Sequence, residues 1–179
     1  MRQLKNISNS PFTSDAAIIL EIRSLFPNFD EPLQKLIAGM AGCSPFLHDL
    51  VKKEVNWIKK VLKSKSSPEE TITNEVLQSS NISKSLRVAK ARISLWTALQ
   101  DLSGNWKLEE VSKCLSEFAD FSVKIALKYS IESLIEDGKL SQLKNNSDAD
   151  QLGIFILSMG KLGAWELNYS SDIDLVCFF

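Results

Sequence analysis

The chain has 179 residues, of which 44% are hydrophobic and 24% charged, a balance typical of globular domains. Its formal net charge of −1 argues against non-specific nucleic-acid binding and against a polybasic membrane anchor. The N-terminal stretch lacks a signal-peptide core, and three widely spaced cysteines without metal-ligand spacing are typical of reduced, buried thiols. We therefore expect a cytoplasmic protein of one or two domains, with no nucleic-acid or membrane partner.

Six helices are predicted between residues 14 and 143. The third is expected to continue as far as Leu62, and the fourth is short. Each of the first four begins at residues that favour helix starts, where a side-chain oxygen caps free N–H groups or a proline occupies the first turn. These starts are Ser14-Asp15, Asp30, Ser44-Pro45 and Ser67-Pro68.

The last two predicted helices are longer. The fifth ends at Gly104, and the sixth runs from Glu109 to Glu136 before an Asp137-Gly138 stop. The apolar stripe of the fifth helix recurs every three to four residues, and three basic residues lie off it. We interpret these basic residues as its solvent-facing side; the alternative is a basic patch for an anion or an acidic partner. The stripe is Leu86, Ala89, Ile93, Trp96 and Leu99, and the basic residues are Arg87, Lys90 and Arg92.

The pattern changes after residue 143. Residues 144–151 are polar and aperiodic, which indicates a loop. Residues 153–158 predict a short buried strand, residues 159–171 a turn, and residues 172–179 a second strand near a sheet centre. Because the sequence stops on four apolar residues of this strand, we expect it to be a fragment of a longer protein.

Two carboxylates in the second predicted strand point to metal-dependent chemistry. Asp172 and Asp174 are alternate residues, so a strand places both on one face. Their mutual repulsion is relieved by a hard divalent cation such as Mg²⁺. Upstream, Gly160, Lys161 and Gly163 form a turn in which backbone N–H groups and a lysine can approach phosphate oxygens. A phosphate cradle beside paired carboxylates favours nucleotidyl or phosphoryl transfer.

The same segment carries a long signature. Residues 159–175 read M-G-K-L-G-A-W-E-L-N-Y-S-S-D-I-D-L. This resembles the pattern G-x-G-K-L-G-G-x-E-L-N-[FY]-S-S-D-I-D-L of the glutamine synthetase adenylyltransferase family, also called glutamate–ammonia ligase adenylyltransferase. Weaker likenesses are Ser44-Pro45-Phe46-Leu47, the basic stretch from Leu86 to Arg92, and Asp101-Leu102-Ser103-Gly104.

The resemblance implies an α+β fold. Residues 1–107 would form a helical region, and residues 108–179 would begin a polymerase-β-like nucleotidyltransferase domain. Asp172 and Asp174 would be catalytic and would bind Mg²⁺, with a third carboxylate on a later strand outside these residues. The residues expected to contact nucleotide or phosphate are Ser158, Gly160, Lys161, Gly163 and Ser171.

The family resemblance also implies an activity. Such enzymes carry two nucleotidyltransferase domains that act on a tyrosine of glutamine synthetase. One uses ATP to attach AMP, and the other uses phosphate to remove it and release ADP. The placement of the motif after a long helical region fits the N-terminal, adenylyl-removing copy. We expect the fragment to be inert alone, and a nitrogen-signalling regulatory protein is a further expected partner.

Two departures from the family pattern bear on nucleotide affinity. Ser158 replaces its first glycine, which we expect to matter little because serine is small and can donate to phosphate. Ala164 replaces a later glycine, and alanine costs about 1 kcal/mol or more if that position needs a positive φ. The bulky Trp165 beside it is also unexpected in a turn that approaches a nucleotide.

Two alternative functions remain open from the sequence. One is a non-catalytic helical module that docks glutamine synthetase or a signalling protein, which the helices alone would support. The other is a different polymerase-β-like nucleotidyltransferase, such as an antibiotic-modifying enzyme. Those share S-D-I-D-L but usually lack G-K-L-G-x-x-E-L-N.

Overall fold

The computed structural model describes residues 4, 6–140 and 152–179. Within them the chain has the mostly helical α+β fold that the sequence predicts. Seven helices precede a two-stranded sheet, and one short helix lies between the two strands in the sequence. No helix in these described stretches is both long enough and apolar enough to cross a membrane. In chain order the elements are α1 (Ala16–Leu25), α2 (Glu31–Cys43), α3 (Pro45–Lys53), α4 (Val55–Val61), α5 (Pro68–Leu77), α6 (Ile82–Leu102), α7 (Leu108–Glu136), β1 (Phe155–Met159), α8 (Gly160–Gly163) and β2 (Asp174–Phe178).

Local signals explain where several helices begin and end. The Asp15 carboxylate accepts hydrogen bonds from two backbone N–H groups in the first turn of α1. The Ser67 hydroxyl accepts from the N–H of Glu70 at the start of α5, 3.2 Å away. After α7, Gly138 has a φ of +69°, a left-handed conformation that ends helices.

The predicted third helix is divided in two. Glu54, between α3 and α4, has φ −110° and ψ 24°, outside the helical range. The hydrogen bonds continue on both sides, because Glu54 N donates to Leu50 O and Ile58 N donates to Glu54 O. The change of direction leaves Trp57 and Ile58 buried and points the Glu54 carboxylate at Arg92. The single-helix prediction is therefore wrong at this residue.

Helix α6 is the centre of the helical region. Every residue from Ile93 to Gln100 is buried, and the helix packs against α2, α3, α5 and α7. Among its buried hydroxyls, Thr97 Oγ1 donates within the helix to Ile93 O at 2.7 Å, whereas Ser94 Oγ donates outside it to Tyr169 O at 3.0 Å. Because residues 93–100 are enclosed on all sides by close-packed neighbours, this half of α6 is a firm support for whatever packs on it.

The two strands pair antiparallel, with Met159 opposite Asp174 and Phe155 opposite Phe178. The strands were predicted to be buried, and this is wrong for the described chain. Phe155 is 54% exposed and every residue of β2 is exposed. The element that contacts both strands is the four-residue α8, which is too small to cover a sheet face. An apolar run therefore predicted the strand correctly but not what covers it.

Four other expectations have different outcomes: two are corrected by the structure and two are not tested by it. The observed β2 begins at Asp174, two residues later than predicted, and the predicted loop 144–151 lies outside the described residues. The boundary at residue 107 stays a prediction; α7 on its far side packs along α6. Of the cysteines expected to be buried, Cys43 and Cys177 are exposed. Partial burial raises the pKa of the Cys114 thiol to about 11.

Candidate functional site

The turn after β1 begins at a glycine, and a carboxylate from the start of β2 lies against it. Gly160 has a φ of +54°, which favours glycine because other residues are strained there. The register places Asp174 opposite Met159, the residue before this glycine. A Cβ atom at Gly160 would lie 3.1 Å from Asp174 Oδ2. The structure thus brings together the glycine and the carboxylate that the sequence assigned to phosphate and metal binding.

Gly163 lets α8 fold back onto β1. A Cβ atom at this residue would lie 2.5 Å from the carbonyl oxygen of Ser158, closer than real Cβ contacts. Leu162, buried to 2% exposure, holds the turn on the protein, and Lys161 beside it is exposed. The predicted residues Ser158, Gly160, Lys161 and Gly163 therefore lie in one compact strand-to-helix turn.

The left-handed residue near the end of this turn is Trp165, with a φ of 60°. Ala164 has φ −88° and ψ −4°, an ordinary right-handed conformation that alanine adopts freely. The expected cost of replacing the family's glycine at Ala164 therefore does not arise. The strain lies one residue later, on a tryptophan that is 48% exposed.

A hydrogen-bonded loop leads from the turn to the carboxylates. Asn168 Oδ1 accepts from the Ser170 N–H at 3.2 Å and from the Ser171 hydroxyl at 2.9 Å. Ser171 Oγ also accepts from the Asn168 N–H at 3.1 Å. A hydroxyl has one proton to donate, so Ser171 as described shapes the loop before Asp172 rather than offering that proton to a ligand.

Tyr169 fastens this loop to α6. Its hydroxyl donates to the carboxylate of Asp101, and its carbonyl accepts from the buried Ser94 hydroxyl at 3.0 Å. Leu167, two residues earlier, is buried against the same core. Burial, followed by the bond to Asp101, raises the pKa of Tyr169 above its ordinary value. Sequence reasoning missed this clamp, although the D-L-S-G stretch that holds Asp101 was noted.

The two predicted metal ligands are both exposed and lie at different places on the turn. Asp174 begins β2 above Gly160, whereas Asp172 precedes the strand and lies beside a cleft between α6 and α7. The cleft has a volume of about 250 Å³. Its wall includes Leu86, Arg87, Lys90, Ile93, Phe118 and Asp172.

The two carboxylates suit a Mg²⁺ ion that is shared with substrate phosphates and water better than they suit a metal ion whose ligands all come from the protein. Among the residues that the structure describes, no three acidic, histidine or cysteine side chains gather to hold a metal. Mg²⁺ commonly uses one or two carboxylates and completes its octahedron with water and substrate phosphates. Asp172 and Asp174, beside a turn suited to phosphate, match that mode of binding.

Of the three basic residues that the sequence placed on the solvent-facing side of this helix, one has a structural role. Arg92 Nε donates to Glu54 at 2.9 Å and its Nη1 to Glu75 at 2.5 Å. Its side chain is 22% exposed, so it is not on the solvent-facing side of the helix as the sequence suggested. Arg87 and Lys90 are exposed and lie in the wall of the cleft.

Comparison with known proteins agrees with the signature. The family model of glutamate-ammonia ligase adenylyltransferase matches residues 33–179. A protein from Bradyrhizobium sp. strain BTAi1, the bifunctional glutamine synthetase adenylyltransferase/adenylyl-removing enzyme, is 34% identical over 82% of this chain and 16% of its own length. Its namesake from Rhodopseudomonas palustris strain CGA009 is 31% identical over 95% of this chain and 17% of its own length.

The matched region is a small part of these relatives. The chain spans about a sixth of the length of the two curated relatives just described. No solved structure gave a significant match.

Proposed function

The chain belongs to the glutamate-ammonia ligase adenylyltransferase family, whose model covers residues 33–179, and on that premise we propose that it forms part of a nucleotidyltransferase acting on glutamine synthetase. The reaction we propose is adenylyl removal. A phosphate oxygen attacks the phosphorus of an adenylyl-tyrosine, a new P–O–P bond forms, and the bond to the tyrosyl oxygen breaks. That oxygen takes up a proton, and ADP leaves.

The observation that carries this proposal is the approach of Asp174 Oδ2 to Gly160. It sets a carboxylate beside the turn that has the glycines and the lysine of a phosphate cradle. Asp172, Asp174 and the phosphates of the nucleotide would hold Mg²⁺. When bound, that ion would stabilise charge on the entering and leaving oxygens of an in-line displacement.

The turn's own residues supply the rest of the proposed site. Gly160 and Gly163 keep Cβ atoms out of it, so that backbone can approach a phosphate. Lys161 is exposed beside them and would neutralise phosphate charge, and the Tyr169 clamp would hold the loop that presents Asp172. Ser158 and Ser171 remain predicted phosphate contacts. To donate to a phosphate, the Ser171 hydroxyl would first have to give up its hydrogen bond to Asn168 Oδ1.

A chimera tests the reaction and its direction. The aligned stretch of the Bradyrhizobium relative is replaced by the corresponding residues of this chain, and ADP release from adenylylated glutamine synthetase is measured with phosphate and Mg²⁺. Asp174→Asn should lower the rate about a thousandfold, because a metal ligand is worth several kcal/mol in the transition state. Asp49→Asn, an exposed site on α3, is the matched control and should leave the rate unchanged.

The same chimera separates the two directions. The ATP-dependent attachment of AMP should continue in the Asp174→Asn chimera if this copy removes the adenylyl group. Loss of attachment with retention of ADP release would contradict the proposed direction. The 179-residue chain alone should release no ADP, because the third expected carboxylate is not among its residues; measurable release would contradict that expectation.

A further inference from the structure

The cleft between α6 and α7 has the shape of a pocket for one side chain. Its floor is apolar, formed by Ile93 of α6 with Leu115 and Phe118 of α7. The loop that ends at Asp172 forms its third wall. At about 250 Å³ it is smaller than the range of about 300–1,000 Å³ usual for small-molecule sites. A single large side chain suits this volume better than a whole nucleotide does.

Two positive charges at the cleft wall form no ion pair in the part of the chain that the structure describes, although the Asp172 carboxylate lies in the same wall. Arg87 and Lys90 lie three residues apart on one face of α6, and neither has an ion-pair partner among the described residues. Arg92, on the same helix, is held by two glutamates. Free cations beside an apolar floor favour an occupant that combines an apolar body with negative charge.

Polar groups line the cleft near Asp172. Asn168, Ser122 and Ser171 lie in its wall. The two serine hydroxyls already donate to Phe118 O and Asn168 Oδ1, respectively, so their oxygens remain as acceptors for a ligand. An aromatic side chain with a polar tip matches a pocket that is apolar below and hydrogen-bonding above. Tyrosine has this character, and an occupant here lies next to the predicted metal ligand.

We propose that this cleft docks the acceptor protein by receiving a tyrosine-bearing segment with acidic residues beside the tyrosine. The choice of tyrosine rests on the proposed function; the acidic flanks follow from Arg87 and Lys90 alone. The segment would sit between the two basic side chains and Asp172, which would bring a modified tyrosine close to the metal and phosphate turn.

Peptide binding to the 179-residue chain tests the proposal without metal or nucleotide. Fluorescence anisotropy is measured in EDTA with a labelled nine-residue peptide, a central tyrosine flanked by aspartate and glutamate. The double variant Arg87→Glu/Lys90→Glu should bind about tenfold more weakly, because reversing rim charges makes the encounter repulsive. The control Lys53→Glu/Lys60→Glu changes charge equally at exposed sites on α3 and α4 and should bind like the unaltered chain.

A charge-swapped peptide keeps the test independent of folding. A version with lysines in place of the acids should bind Arg87→Glu/Lys90→Glu better than it binds the unaltered chain, which an unfolded variant could not do. Replacement of the peptide tyrosine by alanine should abolish binding. The proposal would be overturned if the unaltered chain and Arg87→Glu/Lys90→Glu bound the acidic peptide equally well. It would also be overturned if the unaltered chain bound a peptide with amides in place of the acids as tightly as the acidic peptide.

Competition with ADP separates this proposal from the proposed function. With Mg²⁺ present, ADP should bind without displacing the peptide; competitive displacement would show that the cleft is the nucleotide pocket and would overturn the docking role. If the peptide fails to bind while Mg·ADP binds, the docking proposal is wrong and the nucleotidyltransferase assignment is retained. If the peptide binds and Mg·ADP does not, the assignment of the turn fails while the docking surface remains.

Discussion

At the scale of single residues, the turn around Gly160 shows that a glycine in the family's sequence pattern does not by itself mark a position where the backbone needs glycine. The family pattern has a glycine where this chain has Ala164, yet that residue is right-handed and unstrained. The glycine that geometry demands is Gly163, whose missing Cβ makes room for the Ser158 carbonyl. Trp165 takes the left-handed conformation instead.

Substitution at the two neighbouring positions should have unequal effects. Gly163→Ala forces a Cβ against backbone and should make opening of residues 160–171 easier by about 1–3 kcal/mol. Ala164→Gly should cost no more than about 1 kcal/mol, through backbone entropy alone. Amide hydrogen exchange across the turn measures both. A stabilising Ala164→Gly, or a harmless Gly163→Ala, would contradict the described conformation.

The Tyr169 clamp should make stability depend on alkaline pH. Its pKa is raised in the folded chain by burial and by the bond to Asp101, so the folded state holds the proton more tightly than the unfolded state does. The stabilisation is complete below the ordinary tyrosine pKa of about 10 and is lost as pH rises above it. Urea unfolding between pH 8 and pH 11 should therefore show a steeper decline for the unaltered chain than for Tyr169→Phe. Parallel declines would argue against the clamp.

At the scale of elements, α6 connects parts of the chain that are distant in sequence. Its Arg92 joins Glu54 at the break between α3 and α4 to Glu75 of α5. Its Ser94 and Asp101 hold the loop before β2. The helix that forms the core therefore also positions the candidate site.

Two arginines on α6 allow a matched comparison. Arg92→Met should lower the free energy of unfolding by about 1–3 kcal/mol, because Glu54 and Glu75 lose their shared partner and Glu54 is only 15% exposed. Arg87→Met, on the same helix but exposed and without an ion pair to any described residue, should change it by no more than about 0.5 kcal/mol. Chemical denaturation measures both; equal effects would mean that the two ion pairs contribute nothing.

The helices were largely predictable, because caps and apolar spacing are local signals. The Asp15 and Ser67 caps appear in the structure as the sequence indicated. Most of the predicted stripe of α6 is buried, although burial extends to every residue from Ile93 to Gln100. The buried stripe residues are Ala89, Ile93, Trp96 and Leu99. The break at Glu54 has no local signal in the sequence, and the ion pair that Glu54 makes there is with Arg92, 38 residues away. The burial of the strands was wrong because apolar sequence does not tell what covers a strand.

At the scale of the whole molecule, the predicted site residues lie at the facing ends of β1 and β2 and in the turn and loop that connect them, and the loop is bonded to the helical core. The signature located Gly160, Lys161, Gly163, Asp172 and Asp174 because motif spacing is also local. The partnership of Tyr169 with Asp101 spans 68 residues and left no signal in the spacing. The cleft beside Asp172 likewise depends on how α6 and α7 pack, so it needed the structure.

On the proposed function, this turn and its carboxylates form a metal-dependent nucleotide site. Isothermal titration of ADP into the 179-residue chain, with and without Mg²⁺, tests it most directly, using Asp172→Asn, Asp174→Asn and the Asp49→Asn control. We predict Mg²⁺-dependent binding by the unaltered chain and by Asp49→Asn, and a loss of at least about tenfold in the other two variants. Binding that is independent of Mg²⁺, or equal in all four proteins, would contradict the account.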